Sequence, residues 1–226
     1  MILKGTIVNV IAVILGTLIG RYLGHLFPER IRRTIMAGLG LAVLLIGTQL
    51  ALQSNNVFIV IGSLLVGGII GEVLGIEARL ENFGHRLQQR YKDAGNVAEA
   101  FVTASLLYCI GAMAIMGSIQ DGLGETPTIL YAKSALDGIA SIALTSTMGI
   151  GVIFSVIPLL IYQGLITLSA GWMQGILTDP VIAEMNAVGG LLILAIGLDV
   201  LGIKKLPIGN LLPGIFVAPV LVWVFL

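Results

Sequence analysis

The sequence predicts an all-α polytopic membrane protein of about eight transmembrane helices, with an inverted-topology internal repeat. Three observations predict it. First, 57% of the 226 residues are hydrophobic and 11% are charged, against about 25% charged in an ordinary soluble domain. Second, the apolar residues come in long runs, not in the alternation of strands, and a spanning helix needs roughly 20 of them. Third, basic residues gather in every second gap between the runs.

The runs lie at about 2–24, 34–52, 57–76, 98–119, 128–146, 150–170, 186–203 and 207–226. The first has one early Lys4 and no small-x-small cleavage pattern, so it reads as a retained span and not as a signal peptide. The fifth and sixth are separated only by the uncharged stretch Thr145 to Gly151. Residues 128–177 are too long for one span, so two helices and a tight turn fit best; a broken or re-entrant helix competes.

Loop charge tests the count. Arg21, Arg30, Arg32 and Arg33 follow the first run, Arg79, Arg86, Arg90 and Lys92 the third, and Lys204 and Lys205 the seventh. The other gaps hold Ser54, Asn55 and Asn56, then Asp121 and Glu125, then Asp179 and Glu184. Ten of the twelve Lys and Arg fall in alternate gaps, the exceptions being Lys4 and Lys133. The positive-inside rule puts those gaps in the cytoplasm and both termini on the extracytoplasmic side. A single span over the fifth and sixth runs would put Lys204 and Lys205 outside, so the alternation supports eight.

The whole chain, 1–226, reads as one transmembrane domain. Its longest polar stretch, about 77–97, shows Ile76, Leu80, Phe83, Leu87 and Tyr91 at helical spacing, with arginines on another face. This predicts a cytoplasmic amphipathic connector, lying in the headgroup layer or packed on the other helices. Asn96 and Glu99 form a capping-box pattern that starts the fourth span.

Ile61-Gly62-Ser63-Leu64-Leu65-Val66-Gly67 matches Ile208-Gly209-Asn210-Leu211-Leu212-Pro213-Gly214. Gly40-Leu41 and Ile46-Gly47 match Gly190-Leu191 and Ile196-Gly197. The matched spans are five apart, and an odd offset reverses direction across the membrane. The expected repeat units are about 2–76 and 150–226, with two central helices over about 98–146. Secondary transporters are often built this way. Gly67-Gly68 and Pro213-Gly214 are expected as paired helix breaks. Gly16, Gly20 and Gly24 have the spacing of close helix packing.

A charge inside a span costs about 2.5–3.5 kcal/mol on the insertion scale, so Asp137 needs a reason. Lys133, Asp137, Ser141 and Thr145 follow at intervals of four and make one polar stripe. The functional reading is a coupling-ion or proton site at Asp137 with Lys133 as partner. A structural ion pair, or Lys133 reaching to the surface, is the alternative. Tyr108 and Cys109 of the fourth span, Tyr162 and Gln163 of the sixth, and Asn9 of the first are candidates to line the same cavity. Each alone is more often an interhelical hydrogen bond. Glu72 and Asp199, near span ends, fit simple headgroup solvation.

A lone cysteine, Cys109, allows no intrachain disulfide. No hydrolase, nucleotide-binding or metal-ligand motif is present, and no basic tract suggests nucleic acid. The expected protein is not an enzyme, binds no cofactor or metal, and has the bilayer and a small solute as partners. A homodimer is one way to shield the stripe.

The stretch Ala104-Ser105-Leu106-Leu107-Tyr108-Cys109-Ile110-Gly111-Ala112-Met113-Ala114-Ile115-Met116-Gly117-Ser118-Ile119-Gln120-Asp121-Gly122-Leu123, with Lys133-Ser134-Ala135-Leu136-Asp137-Gly138 and Tyr162-Gln163-Gly164, resembles the uncharacterised bacterial inner-membrane family that includes YqgA and YdfK. The resemblance runs nearly the whole chain. It implies a bacterial plasma-membrane location and assigns no substrate and no catalytic residue. The leading expectation is a secondary transporter or exporter of a small solute coupled to H+ or Na+. A non-transporting scaffold or partner subunit is the alternative, and an intramembrane enzyme the third.

Overall fold

The computed structural model describes residues 2–91, 96–173, 175 and 177–225. These contain helices and no strand. In chain order they are α1 (Lys4–Leu26), α2 (Glu29–Ala51), α3 (Val57–Leu74), α4 (Ile76–Arg90), α5 (Val97–Cys109), α6 (Ala112–Gly122) and α7 (Thr128–Met148). A 3-10 turn (Ile150–Ser155) then leads into α8 (Val156–Met173), followed by α9 (Asp179–Val200), α10 (Ile208–Leu211) and α11 (Gly214–Phe225). The chain divides into two compact units.

Six stretches among the described residues are long and apolar enough to cross a membrane: α1, α2, α3, the 3-10 turn with α8, α9, and α10 with α11. The bent pair α5 and α6 makes a seventh. The fifth expected span, 128–146, forms α7, of 21 residues, but Lys133, Asp137 and its Ser and Thr residues keep it out of that apolar set. Large apolar side chains point outward along these helices, including Leu15 and Leu18 of α1, Phe58 and Val73 of α3, and Leu165 and Trp172 of α8. That outer surface suits lipid and not water.

Unit 1 comprises Met1–Leu39, Glu81–Cys109 and Met113–Gly171. Its spine is α1 packed on α7. Gly5 meets Leu130, Gly16 meets Gly138 and Ser141, Gly20 meets Ile142 and Thr145, and Gly24 meets Ser146. Both residue numbers rise together, so the two helices are parallel and α7 runs the length of α1. A Cβ on Gly16 would overlap the Gly138 carbonyl oxygen. The glycine spacing seen in the sequence is therefore a close backbone contact. Around it, Val13, Ala100, Ala104, Tyr108, Leu144, Val152 and Leu159 form the buried core.

The expected continuous span at 98–119 is broken. α5 and α6 meet at a bend of 62°. Gly111, at φ +122°, sits in the break. A Cβ there would meet nothing nearer than Ile193 Cδ1 at 3.8 Å. The backbone angle, and not crowding, is what calls for glycine at that point. The start of α5 is as expected: the Glu99 N–H donates to Asn96 Oδ1 (3.5 Å) and the Asn96 amide donates to the Glu99 carboxylate. Between α7 and α8 the chain makes a tight turn at Gly149, φ +101°. α8 then heads back, with Gly151 against Val97 and Thr167 against Gly122 at the opposite end.

The connector packs on its neighbours. Gly84 of α4 lies against Ala98, Gln88 Oε1 accepts from the Ala98 N–H (3.2 Å), and the Phe83 and Phe101 rings are 5.3 Å apart. Residues 92–95 of the connector lie outside the described residues.

Unit 2 comprises Gly40–Leu80, Ile110–Ala112 and Trp172–Leu226. α2 and α9 touch at Gly40 with Leu201, Leu44 with Gly197, Gly47 with Leu194, and Ala51 with Gly190. One number rises as the other falls, so they are antiparallel. α3 and α11 pair in the same sense, through Gly62 with Leu221 and Gly67 with Gly214, and Gly71 packs on Asn210 of α10. The expected paired breaks are not a pair. The helix is interrupted at Leu212 and Pro213, between α10 and α11, but α3 runs through Gly67-Gly68 unbroken. Pro213 removes a backbone donor. Glycine only weakens a helix, by about 1 kcal/mol, and at Gly67 it lets the Gly214 backbone approach.

The seventh span also starts earlier than the expected 186, at Asp179, with Pro180 in its first turn. Glu184, expected in a loop, is fully buried.

Candidate functional site: a buried ion pair in a polar interior

The charges of α7 are placed by helix geometry. Residues four apart stack on one face, and that face is the one turned to α1 and α5. Lys133 and Asp137 are 5% and 7% exposed, and Lys133 Nζ donates to Asp137 Oδ2. Asn9 of α1 donates its side-chain N–H to the same oxygen (2.9 Å). Lys133 Nζ also stands 5.9 Å from the centre of the Tyr108 ring, within cation–π range.

One turn on, the Ser141 hydroxyl donates to the Asp137 carbonyl (2.7 Å), and Tyr108 Oη lies 2.7 Å from Ser141 Oγ. Since Ser141 has one proton, committed to that carbonyl, Tyr108 is the donor to Ser141. The residues brought together are thus Asn9, Tyr108, Lys133, Asp137 and Ser141. Burying such a pair is unfavourable unless further hydrogen bonds complete it; here Asn9 supplies one.

The other expected residues make no hydrogen bond to this cluster among the described residues. Thr145 continues the stripe two turns beyond Asp137, its Oγ1 buried and without a partner. Gln163 is completely buried, and neither its Oε1 nor its Nε2 has a partner among the described residues. Tyr162 Oη is likewise buried and unbonded. Cys109 is a half-buried free thiol next to Tyr108.

Sequence reading missed several polar groups of unit 1. Among the described residues, the buried hydroxyls of Thr6, Ser118 and Thr167 have no partner, and neither has the side-chain oxygen Oδ1 of Asn9. Together with Gln163 they occupy one half of the unit, while Thr17, whose buried hydroxyl is also unbonded among the described residues, lies on the other side of Val13. Thr6 and Asn9 lie beyond Val13 on α1, and Gln163 and Thr167 beyond Leu159 on α8, both measured from the shared core. Ser118 lies one turn before Gly122, which packs on the Thr167 backbone. Single Ser and Thr residues in apolar helices give no sequence signal, because they usually bond their own backbone.

Buried carboxylates were missed for a different reason. In unit 1, Asp121 is 1% exposed and accepts from the Gly5 N–H (2.9 Å). In unit 2, Glu184 accepts from the Ser54 hydroxyl (2.7 Å) and from the Asn55 and Asn56 N–H groups (2.8 and 2.9 Å), at the start of α3. Glu72 is not merely solvated: it accepts from the Asn210 side chain (2.6 Å). Glu77 accepts from the Gly209 N–H (2.6 Å), and its own N–H donates to Asn210 Oδ1 (2.8 Å). Asp121, Glu184 and Glu77 thereby satisfy free backbone donors at helix starts, while Glu72 holds a side-chain amide. Among the described residues, no three His, Cys, Asp or Glu side chains converge as a metal site would require.

Comparison with known proteins agrees with this architecture. The chain is 35% identical over 224 residues to the uncharacterized membrane protein YdfK of Bacillus subtilis, covering 97% of this chain and 96% of that one. It is 33% identical over 220 residues to the uncharacterized protein YqgA of Escherichia coli, covering 95% and 94%. No solved structure matches it. The model of a family described as "Protein of unknown function (DUF554)" matches residues 4–223. With buried polar groups enclosed by lipid-facing helices and these matches over nearly its full length, the chain is a membrane protein of the DUF554 family.

Proposed function

We propose that the chain is a secondary transporter or exporter of a small solute, coupled to H+ or Na+, with its path through unit 1 past Lys133 and Asp137. One observation carries this reading. The ion pair shares unit 1 with buried polar atoms that no group among the described residues satisfies, on Thr6, Asn9, Ser118, Gln163 and Thr167. Each such atom costs about 1–3 kcal/mol. A scaffold is better served by paired or apolar side chains. A path that admits water, an ion or a solute supplies the missing partners and keeps the polar atoms useful. The reading includes no catalytic step.

The same proposal takes α7 as the eighth crossing, since it runs parallel to α1 from Gly5 to Gly24. Its polar face then points into the bundle, as an intramembrane charge requires. The location is the bacterial plasma membrane, with the arginine-rich ends cytoplasmic and both termini extracytoplasmic. The lipid bilayer and the solute are the partners, with no nucleic acid, and a homodimer would add shielding to the stripe.

An inverted repeat is part of the reading, and contacts within unit 2 support it. Leu44 and Leu194 are repeat mates, as are Gly47 and Gly197. Leu44 packs on Gly197 and Leu194 on Gly47, so the mates exchange partners. Gly67 packs on its own mate, Gly214. Both patterns are what a two-fold axis produces. Inverted halves that exchange conformations give alternating access.

The test compares small molecules inside and outside cells that express the wild type or Asp137→Asn at equal membrane levels. A solute that redistributes with the wild type alone supports the reading. No redistributed solute, with both proteins folded, favours the scaffold.

A further inference from the structure

At the end of unit 1 where α1 finishes, a cavity of about 1040 Å³ opens. It reaches the turn between α7 and α8, and its charged lining is Arg21, Arg32, Arg90 and Glu99. Among the described residues, three guanidinium groups thus line the cavity with one carboxylate, and the Glu99 carboxylate is already engaged by the Asn96 amide. None of the three arginines forms an ion pair among the described residues. Arg32 is held by donating an Nη2–H to the Gly24 carbonyl, while its Nε–H is buried without a partner.

The hydroxyls at the turn make a further distinction. Ser146 donates to the Ala143 carbonyl (2.9 Å), and Thr147 has the Ala143 and Leu144 carbonyls within reach. Thr145, also in the cavity wall, is 3% exposed and has no partner for Oγ1. Among the described residues the site therefore sets three cations against one carboxylate, with two unsatisfied donors, Arg32 Nε and Thr145 Oγ1, buried in its wall. A carboxylate or phosphate supplies two or three acceptors in the plane of a guanidinium fork. A neutral sugar or a cation leaves the arginines unpaired.

We infer that this cavity binds the oxyanion group of a carboxylate- or phosphate-bearing molecule through Arg21, Arg32 and Thr145, and that the transported solute is an anion. The second half of the statement rests on the transporter reading; the binding site does not. Thr145, Ser141, Asp137 and Lys133 lead from the cavity along one face of α7. At about 1.5 Å per residue, Lys133 is about 18 Å farther in. It is the next cation such a solute meets.

Two sources share this chemistry, a free solute and the headgroup of an anionic lipid, and the experiment separates them. The full chain is placed in phosphatidylcholine nanodiscs, and its thermal unfolding is followed with sodium phosphate, with sodium succinate, and with sodium chloride at equal ionic strength. A parallel set adds phosphatidylglycerol to the discs, with chloride alone. The expected result is saturable stabilisation by phosphate or succinate over chloride. Arg32→Gln should weaken it about tenfold or more, the loss that goes with one hydrogen bond to a charged group. Since Arg32 also ties α2 to Gly24, the exposed Arg21→Gln is the second variant and should weaken it similarly. Arg33→Gln, exposed and paired with Glu29, should leave it unchanged.

Stabilisation by phosphatidylglycerol alone, lost in the same two variants, keeps the oxyanion site and overturns the anionic-solute assignment. No stabilisation in any arm overturns the site. Anion binding that persists when no solute redistributes in cells removes the transporter reading and leaves the site standing. A redistributed solute with no anion binding does the reverse.

Discussion

Asn9 of α1 donates to Asp137 Oδ2 of α7 across 2.9 Å, and leaves its own carbonyl oxygen buried without a partner. That one amide both completes the ion pair and adds to the unsatisfied polar interior.

Removing one member of the pair should cost far more than removing both. Lys133→Met leaves Asp137 buried with only Asn9 as partner, and breaking a buried pair this way costs about 3–5 kcal/mol. Lys133→Met with Asp137→Leu should recover most of that. Thermal unfolding in detergent of the two single variants and the double variant checks it. A strictly additive double variant would show that the pair contributes nothing as a pair.

The α1–α7 seam should reject any side chain. Gly16→Val forces a branched side chain against the Gly138 carbonyl, and overpacking costs about 1–3 kcal/mol or more. Gly38, with nothing within 4 Å of an added Cβ, is the matched control. We expect Gly16→Val to lower folded yield on size exclusion and Gly38→Val to leave it unchanged.

Glu184 should act as an anchor for the start of α3. Glu184→Ala removes the acceptor for Ser54, Asn55 and Asn56 together, and each hydrogen bond to a charged group contributes about 1.5–3 kcal/mol. Glu184→Gln keeps the shape and loses only the charge, so it should be the milder variant. Melting temperatures of the two variants decide.

Sidedness is open to direct test. In a Cys109→Ser background, Arg33→Cys should react with a membrane-impermeant thiol reagent only from the cytoplasm, and Leu52→Cys only from outside. Both are exposed, and they lie at opposite ends of α2.

Much of the fold is legible in the sequence because lipid acts as a filter: long runs of apolar residues follow from the cost of placing polar groups in hydrocarbon. The α7 stripe is legible for the same reason, since Asp137 in a span demands an explanation. What is hidden depends on tertiary partners. Glu184 reads as a loop charge, because nothing local says that the loop at Ser54 brings three donors to it. The break at Gly111 is invisible because glycine is common in these helices and only its φ of +122° sets it apart. Gly67-Gly68 misleads in the opposite direction: the pair looks like a break and is a contact with Gly214. The bare hydroxyls of Ser118 and Thr167 need the fold to show that they turn inward.

The most direct test of a path through unit 1 is whether water reaches its interior. Gln163, completely buried with both amide atoms unbonded, is replaced by cysteine in the Cys109→Ser background. A small membrane-impermeant methanethiosulfonate reagent is then applied to either face of oriented membrane vesicles. A solute path predicts that Cys at this position reacts, and that the reaction slows when Asp137→Asn is added. A folded protein whose thiol stays unreactive from both faces, yet reacts once unfolded, would contradict it and leave Lys133–Asp137 as a sealed structural pair.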